Sequence, residues 1–271
     1  MPELPEVEIT LRGIAPHITG RRIRQLRVRN AALRWPVPKD LPQRLKNQRI
    51  AHLSRRGKYI LVRCDSGSLI LHLGMSGSLR VLTHSEAPHK HDHFDLLLEN
   101  ATLLRFRDPR RFGALLWTAD DVMRHPLLAE LGVEPLGREF NAEYLYTAAH
   151  VRTLCIKNML MDAHVVVGIG NIYANEALFL AGINPRTQAK RISLQRYALL
   201  VDAIRQTLHN AIEAGGSTLR DFVNSAGEPG YFQQYYKVYG RAGLPCARCN
   251  AALHTIRQGQ RSTFYCPRCQ R

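Results

Sequence analysis

The sequence predicts an α+β protein of about two domains: a leading helix with a β-sandwich or barrel, then a helical region, then a small metal-stapled module. Three observations predict it. Between about residues 20 and 117, apolar positions recur in short alternating runs, the signature of half-buried strands. After residue 142 the apolar period lengthens to that of helices. The chain then closes on Cys246-x2-Cys249 and Cys266-x2-Cys269. A length of 271 residues fits two domains at roughly 150 residues each, and a 45% apolar content supports a sizeable core.

The elements follow in order. Residues 3–12 read as a short helix with Leu4, Val7 and Leu11 on one face and carboxylates in the opening stretch, where the helix dipole favours them. Strands are expected at Ile23/Leu26/Val28, Tyr59–Val62, Ser68–Leu73, Phe94–Leu98 and Leu103–Phe106, with Gly, Pro, Asn and Asp between them. Gly132, Pro135 and Gly137 mark residues 131–142 as a linker. Residues 142–162 and 192–214 read as long amphipathic helices, the second stopped by Gly215-Gly216. Between them Val165-Val166-Val167-Gly168-Ile169-Gly170-Asn171 leads into a helix over about 172–181, closed by Gly182 and Pro185. Residues 217–240 form a loop rich in Gly and Tyr. There are no internal repeats.

Charge narrows the function classes. Lys and Arg number 38 against 22 Asp and Glu, a net charge of +16. The excess is concentrated: residues 1–60 hold 14 Lys/Arg and four acids, and residues 241–271 hold six Arg and no acid. Such blocks point to a polyanionic partner, and nucleic acid is the best fit. No apolar run approaches the roughly 18 residues of a membrane span. The opening Met1-Pro2-Glu3-Leu4-Pro5-Glu6 lacks the basic and apolar regions of a secretory signal, so the expected compartment is the cytoplasm, where disulfides are rare.

Four features carry chemistry. The two CxxC pairs can close a tetrahedral S4 site, which selects zinc, folds a segment too small for its own core and leaves no open catalytic position. Arg248, Arg257, Arg261 and Arg268 would then decorate a phosphate-binding ribbon. Gly168-Ile169-Gly170-Asn171 gives a tight turn before a helix N-terminus, a common arrangement that points to a DNA phosphate only together with Arg152 and Lys157 on the preceding helix. Pro2 is a third. Removal of Met1 would expose a secondary amine that is partly neutral at pH 7 and able to attack an aldehyde-level carbon, with Glu3 and Glu6 at hand for proton transfer; equally, Pro2 serves as an ordinary helix start. The fourth is Asp108-Pro109-Arg110-Arg111-Phe112-Gly113, two guanidiniums beside an aromatic. With Met75 it could wedge a base step apart, and core packing explains Met75 and Phe112 just as well. The histidine-rich stretch 84–93 lacks a regular ligand spacing and reads as a polar loop.

Taken together, these residues resemble the bacterial formamidopyrimidine-DNA glycosylase family over the whole chain. The carriers are Pro2-Glu3-Leu4-Pro5-Glu6-Val7-Glu8, Arg56-Gly57-Lys58-Tyr59, His72-Leu73-Gly74-Met75-Ser76-Gly77, residues 108–113, Gly168–Tyr173 and Gln260-Arg261-Ser262-Thr263-Phe264-Tyr265-Cys266. The resemblance implies a catalytic β-sandwich domain over 1–130, a linker at 131–142, a helix-two-turn-helix domain over 143–240 that includes a lesion-recognition loop at 217–240, and a zinc finger at 241–271. It implies a monomer that binds duplex DNA carrying an oxidised purine or an abasic site, flips the nucleotide out, excises the base and cleaves the strand by β,δ-elimination. By similarity Pro2 is the nucleophile, Glu3 the proton donor that opens the sugar, Lys58 the β-elimination residue and Arg261 the δ-elimination residue, better placed as a phosphate anchor given its high pKa. Met75, Arg110 and Phe112 match the void-filling wedge. His91, Arg110, Arg152 and Asn171 match DNA contacts, Lys157 and His72 less direct ones, and Cys246, Cys249, Cys266 and Cys269 match the ligands of one structural zinc. The Leu4 opening and residues 109–113 favour the oxidised-purine branch over the endonuclease VIII branch, which acts on oxidised pyrimidines. Charge and zinc spacing alone fit a non-catalytic DNA-binding module equally well. Asn158 stands where the family pattern has Pro, and Arg220 where Lys is usual.

Overall fold

A computed structural model describes residues 2–83, 86–217 and 230–271. Met1, Arg220 and residues 218–229 of the expected recognition loop lie outside the described residues. The chain divides into two compact units, Met1–Ala129 with Ala214–Tyr231, and Glu130–Glu213 with Phe232–Arg271. No helix of the described residues is long and apolar enough to cross a membrane.

The first unit opens with α1 (Leu4–Ile18). Its N-terminus is a capping box in which the Glu3 backbone N–H donates to the Glu6 carboxylate at 2.8 Å. The helix outruns the expected 3–12 despite Gly13 and Pro16. Ile14 and Ile18 continue the apolar face set by Leu4 and Val7 and are fully buried, and that burial outweighs the local penalty of the two breakers. Then follow β1 (Ile23–Val28), α2 (Leu41–Leu45), β2 (Ile50–Arg56), β3 (Tyr59–Cys64), β4 (Gly67–His72), β5 (Ser78–Leu82), β6 (Asp92–Leu98), β7 (Leu103–Arg107) and β8 (Ala114–Thr118). They form two four-stranded antiparallel sheets, ordered β1-β6-β7-β5 and β2-β3-β4-β8. One apolar core joins both sheets to α1: Val7, Ile14 and Ile18 cluster with Ile60, Val62, Leu71, Leu96 and Phe106. The rings of Phe94 and Phe106 stack there at 4.9 Å. This is the sandwich that the alternating pattern predicts.

The second unit holds α3 (Ala142–His150), α4 (Ile156–Leu160), α5 (Asn171–Leu180), α6 (Leu194–Glu213) and the hairpin β9 (His254–Gln258) with β10 (Arg261–Tyr265). The single helix expected over 142–162 is broken in two. At 151–155 the backbone leaves the helix and pairs with a distant segment: Ala189 N–H donates to Leu154 O at 2.9 Å and Ile156 N–H to Thr187 O at 2.8 Å. Those bonds replace the intrahelical ones and turn Ile156, Met159 and Leu160 wholly into the core. α5 is buried along nearly its full length, from Ile172 to Phe179, so it is the central beam of this unit.

Candidate active site and nucleic-acid interface

At the head of α1, Pro2 is buried and Glu3 is only 3% exposed. Glu6, one turn on, does two jobs. One carboxylate oxygen takes the Glu3 N–H, and the other takes the N–H of Ser217 at 2.8 Å. Gly216, at φ +79°, brings that backbone in so closely that a Cβ would sit 3.2 Å from the Glu6 carboxylate. Glu6 therefore ties residues 216–217 to the helix end that carries Pro2 and Glu3. Lys58 follows Gly57 (φ +56°) in the two-residue turn between β2 and β3.

Next to that turn lies His72, at the end of β4. Its Nδ1 accepts the Gly74 N–H at 2.9 Å, and its ring lies 4.8 Å from that of Tyr59. Burial, with help from the positive charges of Lys58 and Arg34, pushes its pKa down from 6.5 to about 4. His72 is thus neutral at pH 7, with Nε2–H available as a donor. Because the folded value is depressed, the unfolded chain takes up this proton first. Stability is then lost as pH falls from about 6.5 towards 4. Thermal unfolding scans across that window should show a slope that is shallower in His72→Gln. An identical slope in the variant would assign the pH dependence to other groups.

Met75 and Phe112 both lie at exposed loop tips. They are 37% and 39% exposed, so neither is core. The Arg110 guanidinium lies over the Phe112 ring at 5.2 Å. Gly74, at φ +67°, packs so tightly that a Cβ would meet the Phe112 carbonyl carbon at 2.4 Å, so the two turns touch. Underneath them lies Asp108, 0% exposed, which opens the 108–113 motif and to which sequence reasoning gives no role of its own. Its carboxylate accepts from Ser76 Oγ (2.7 Å), Arg110 N (3.2 Å) and Gly113 N (2.8 Å). The bond to Arg110 two residues on is the turn-forming habit of Asp, the one local signal that could have flagged it. Its backbone carbonyl meets His93 Nε2 at 2.6 Å, and its N–H donates to the carbonyl of half-buried His91 at 3.0 Å.

In the second unit, Gly168 (φ +84°) and Gly170 lead into α5, and Asn171 sits at its first turn. Asn171 Nδ2 donates to Ser262 O at 3.0 Å. Lys157 departs from expectation. It is 0% exposed, and its ammonium donates to Ser262 O (3.1 Å) and Thr263 Oγ1 (2.6 Å). It is a strut that holds β10 against α4, not a phosphate contact. Asn175 adds a third strut, accepting from Phe264 N at 2.7 Å. The β9–β10 turn runs through Gly259 and Gln260, both at positive φ, the backbone of a tight hairpin. Exposed Arg261 follows it directly. Arg152 is half-buried just after α3, with a guanidinium bond to Ala148 O at 2.5 Å.

The four cysteine sulfurs lie within 4.8 Å of one another. The Cys246–Cys269 pair is 3.9 Å apart and the Cys249–Cys266 pair 3.5 Å. Zinc–sulfur bonds of about 2.3 Å in a tetrahedron require sulfur separations of about 3.8 Å, so the residues fit one structural Zn2+. In each knuckle a backbone N–H points at the first sulfur, Arg248 N to Cys246 Sγ and Cys269 N to Cys266 Sγ, both at 3.4 Å. Arg248 is a further correction to the phosphate-binding ribbon. Its guanidinium donates to Phe179 O (3.2 Å) and Leu180 O (3.0 Å) and covers the Phe179 ring, capping the C-terminus of α5. Cys64 is a buried thiol pushed up to about 12 by burial, hence inert.

Comparisons with known proteins agree along the full length. The family model described as the formamidopyrimidine-DNA glycosylase N-terminal domain matches residues 1–115, that of the H2TH domain residues 131–223, and the zinc finger found in FPG and IleRS residues 243–271. Formamidopyrimidine-DNA glycosylases of Methylococcus capsulatus and Marinobacter nauticus are 57% and 56% identical, each over 100% of both chains. Among solved structures, the MutM (Fpg) protein of Thermus thermophilus superposes with a TM-score of 0.88 at 37% identity, covering 99% of this chain and 98% of that one. Lactococcus lactis Fpg, bound to DNA containing an abasic site, gives 0.90 at 34% identity over 99% of both chains. The same protein bound to N7-benzyl-Fapy-dG DNA gives 0.91 at 33% identity over 100% of both. This chain belongs to the formamidopyrimidine-DNA glycosylase family.

Proposed function

We propose that the protein excises oxidised purines from duplex DNA and cleaves the resulting abasic strand, with the Pro2 amine as nucleophile once Met1 has been removed. The Pro2 nitrogen attacks C1′ of the flipped nucleotide. The glycosidic bond breaks, and the base departs with its electron pair, taking up the proton that the attacking amine releases. Glu3 gives a proton to the sugar ring oxygen, the ring opens, and the C1′–nitrogen link becomes an iminium. That cation acidifies C2′, so loss of a C2′ proton, with Lys58 as the base, expels the 3′ phosphate; a second elimination expels the 5′ phosphate. Arg261 anchors a phosphate and steadies its departure. His91, Arg110, Arg152 and Asn171 hold the DNA, and Met75 and Phe112 fill the space the nucleotide leaves. We place this work in the cytoplasm, on the nucleoid.

The observation that carries the reading is the head of α1: a buried Pro2 and Glu3 at a helix start anchored by Glu6, in a family whose Lactococcus lactis member is solved with Fapy-dG and abasic DNA. The test is borohydride trapping on a duplex with one 8-oxoguanine opposite cytosine. Reduction of the iminium should leave a stable enzyme–DNA adduct, mapped by mass spectrometry to the Pro2 nitrogen in a chain lacking Met1. Tight duplex binding with no adduct would instead leave a DNA-binding module, and excision restricted to oxidised pyrimidines would move the protein to the other branch.

A further inference from the structure

A single buried carboxylate fastens the two exposed apolar tips to each other. The turn 73–77 is closed by Gly77 N–H to Leu73 O at 2.8 Å and carries Met75 at its apex. The turn 108–113 carries Arg110 and Phe112. Asp108 bonds to both: to Ser76 on the first, and to Arg110 and Gly113 on the second. Ser76 is itself buried, and its Oγ also lies 3.2 Å from Arg110 N. The carboxylate forms no ion pair among the described residues; all three of its donors come from the two turns. Beneath it, Gly113 is pressed onto the Phe106 ring, where a Cβ would come within 2.5 Å.

We propose that Asp108 is a positioning residue that locks the Met75 turn and the Arg110–Phe112 turn into one rigid two-pronged tip, so that both apolar side chains enter the duplex in a single step. The inference rests on the reading that these tips fill the vacated space. Its physical basis is entropic. Two loops held at fixed separation lose less freedom on insertion than two independent ones, and the spacing of the prongs is set before contact. A carboxylate suits the task because it accepts several N–H and O–H bonds at once, each stronger than a neutral one. Asn at this position would turn an N–H2 group towards a donor.

The experiment uses full-length protein and two variants, Asp108→Asn and the milder Ser76→Ala. Excision of 8-oxoguanine from duplex is measured in single turnover at saturating enzyme, alongside borohydride trapping on a single-stranded abasic oligomer, which needs the amine but offers no stack to penetrate. Both variants should lower the duplex rate, Asp108→Asn by about tenfold or more, while single-strand trapping holds. In a Phe112→Ala background, which already lacks one prong, Asp108→Asn should add little, because the two changes remove the same event. Full duplex rates in both variants would overturn the proposal. So would fully additive losses with Phe112→Ala, which mark a role independent of the prong, or a parallel loss of single-strand trapping, which marks a general defect of fold. Failure of the reading beneath it is distinguishable, since Phe112→Ala alone would then excise at the wild-type rate, and loss of the glycosylase itself would leave wild-type protein unable to excise or trap.

Discussion

Stripping the zinc should abolish duplex binding and unfold the C-terminal hairpin while the N-terminal sandwich stays folded. The apolar cluster around the metal is small, built from Phe179, Val238, Leu253 and the cysteines themselves. It is far too little to order the segment unaided, whereas structural zinc supplies about 10–16 kcal/mol of apparent binding free energy at pH 7. Losing it frees β9–β10 from its struts, so Ser262 and Thr263 leave the Lys157 ammonium. That ammonium is then a charge in the core without those acceptors, which costs several kcal/mol more and loosens α4. Arg261 loses its fixed position at the same time. A strong chelator should therefore release one zinc per chain, remove duplex binding and lower the unfolding temperature of the second unit while that of the sandwich holds. Zinc added back should restore binding, and Cys249→Ser should mimic the chelated state. Undiminished binding by metal-free protein would show that the ribbon is not part of the grip.

The contrast between what was legible and what was not follows from range. The cysteine spacing is local and its chemistry is unambiguous, so the metal centre could be read directly. The alternating strands of the sandwich are local too, and those with strong apolar patterns stand where expected. β2, β5 and β8 are not singled out by the pattern: Ile50–Arg56 and Ser78–Leu82 carry mixed polar residues and are ordered by their neighbours in the sheet, and Ala114–Thr118 is an apolar run too short to show a period of its own. The break at 151–155 depends on residues 187–189, more than thirty positions away, and no local signal announces it. Lys157 and Arg248 fail for a related reason. A cation in a basic chain looks like a phosphate ligand until its partners are known, and here the partners are backbone carbonyls and a hydroxyl of the protein itself. Asp108 and Glu6 belong to the same class: each joins segments that only the fold brings together.

Glu3→Gln should separate the two halves of the reaction. Gln keeps the length and the carbonyl oxygen of Glu, so it can still accept at the helix N-terminus, and the capping role and the seat of Pro2 survive. What it loses is an exchangeable acid proton. Excision requires that proton, because the sugar ring must open as the base departs; removing a positioned acid typically slows such a step by about 10²–10⁴-fold. An abasic site has no base to expel, and its ring is already in equilibrium with the open aldehyde. The Pro2 amine condenses with that aldehyde without help from Glu3. The variant should therefore lose 8-oxoguanine excision while still forming the borohydride adduct with preformed abasic DNA, and its unfolding temperature should match the parent. If both activities vanish in a folded variant, Glu3 is needed to present the amine itself. If excision persists at the parental rate, the proton comes from elsewhere, and Glu6, hydrogen-bonded to the Glu3 backbone at 2.8 Å, is the next carboxylate to replace.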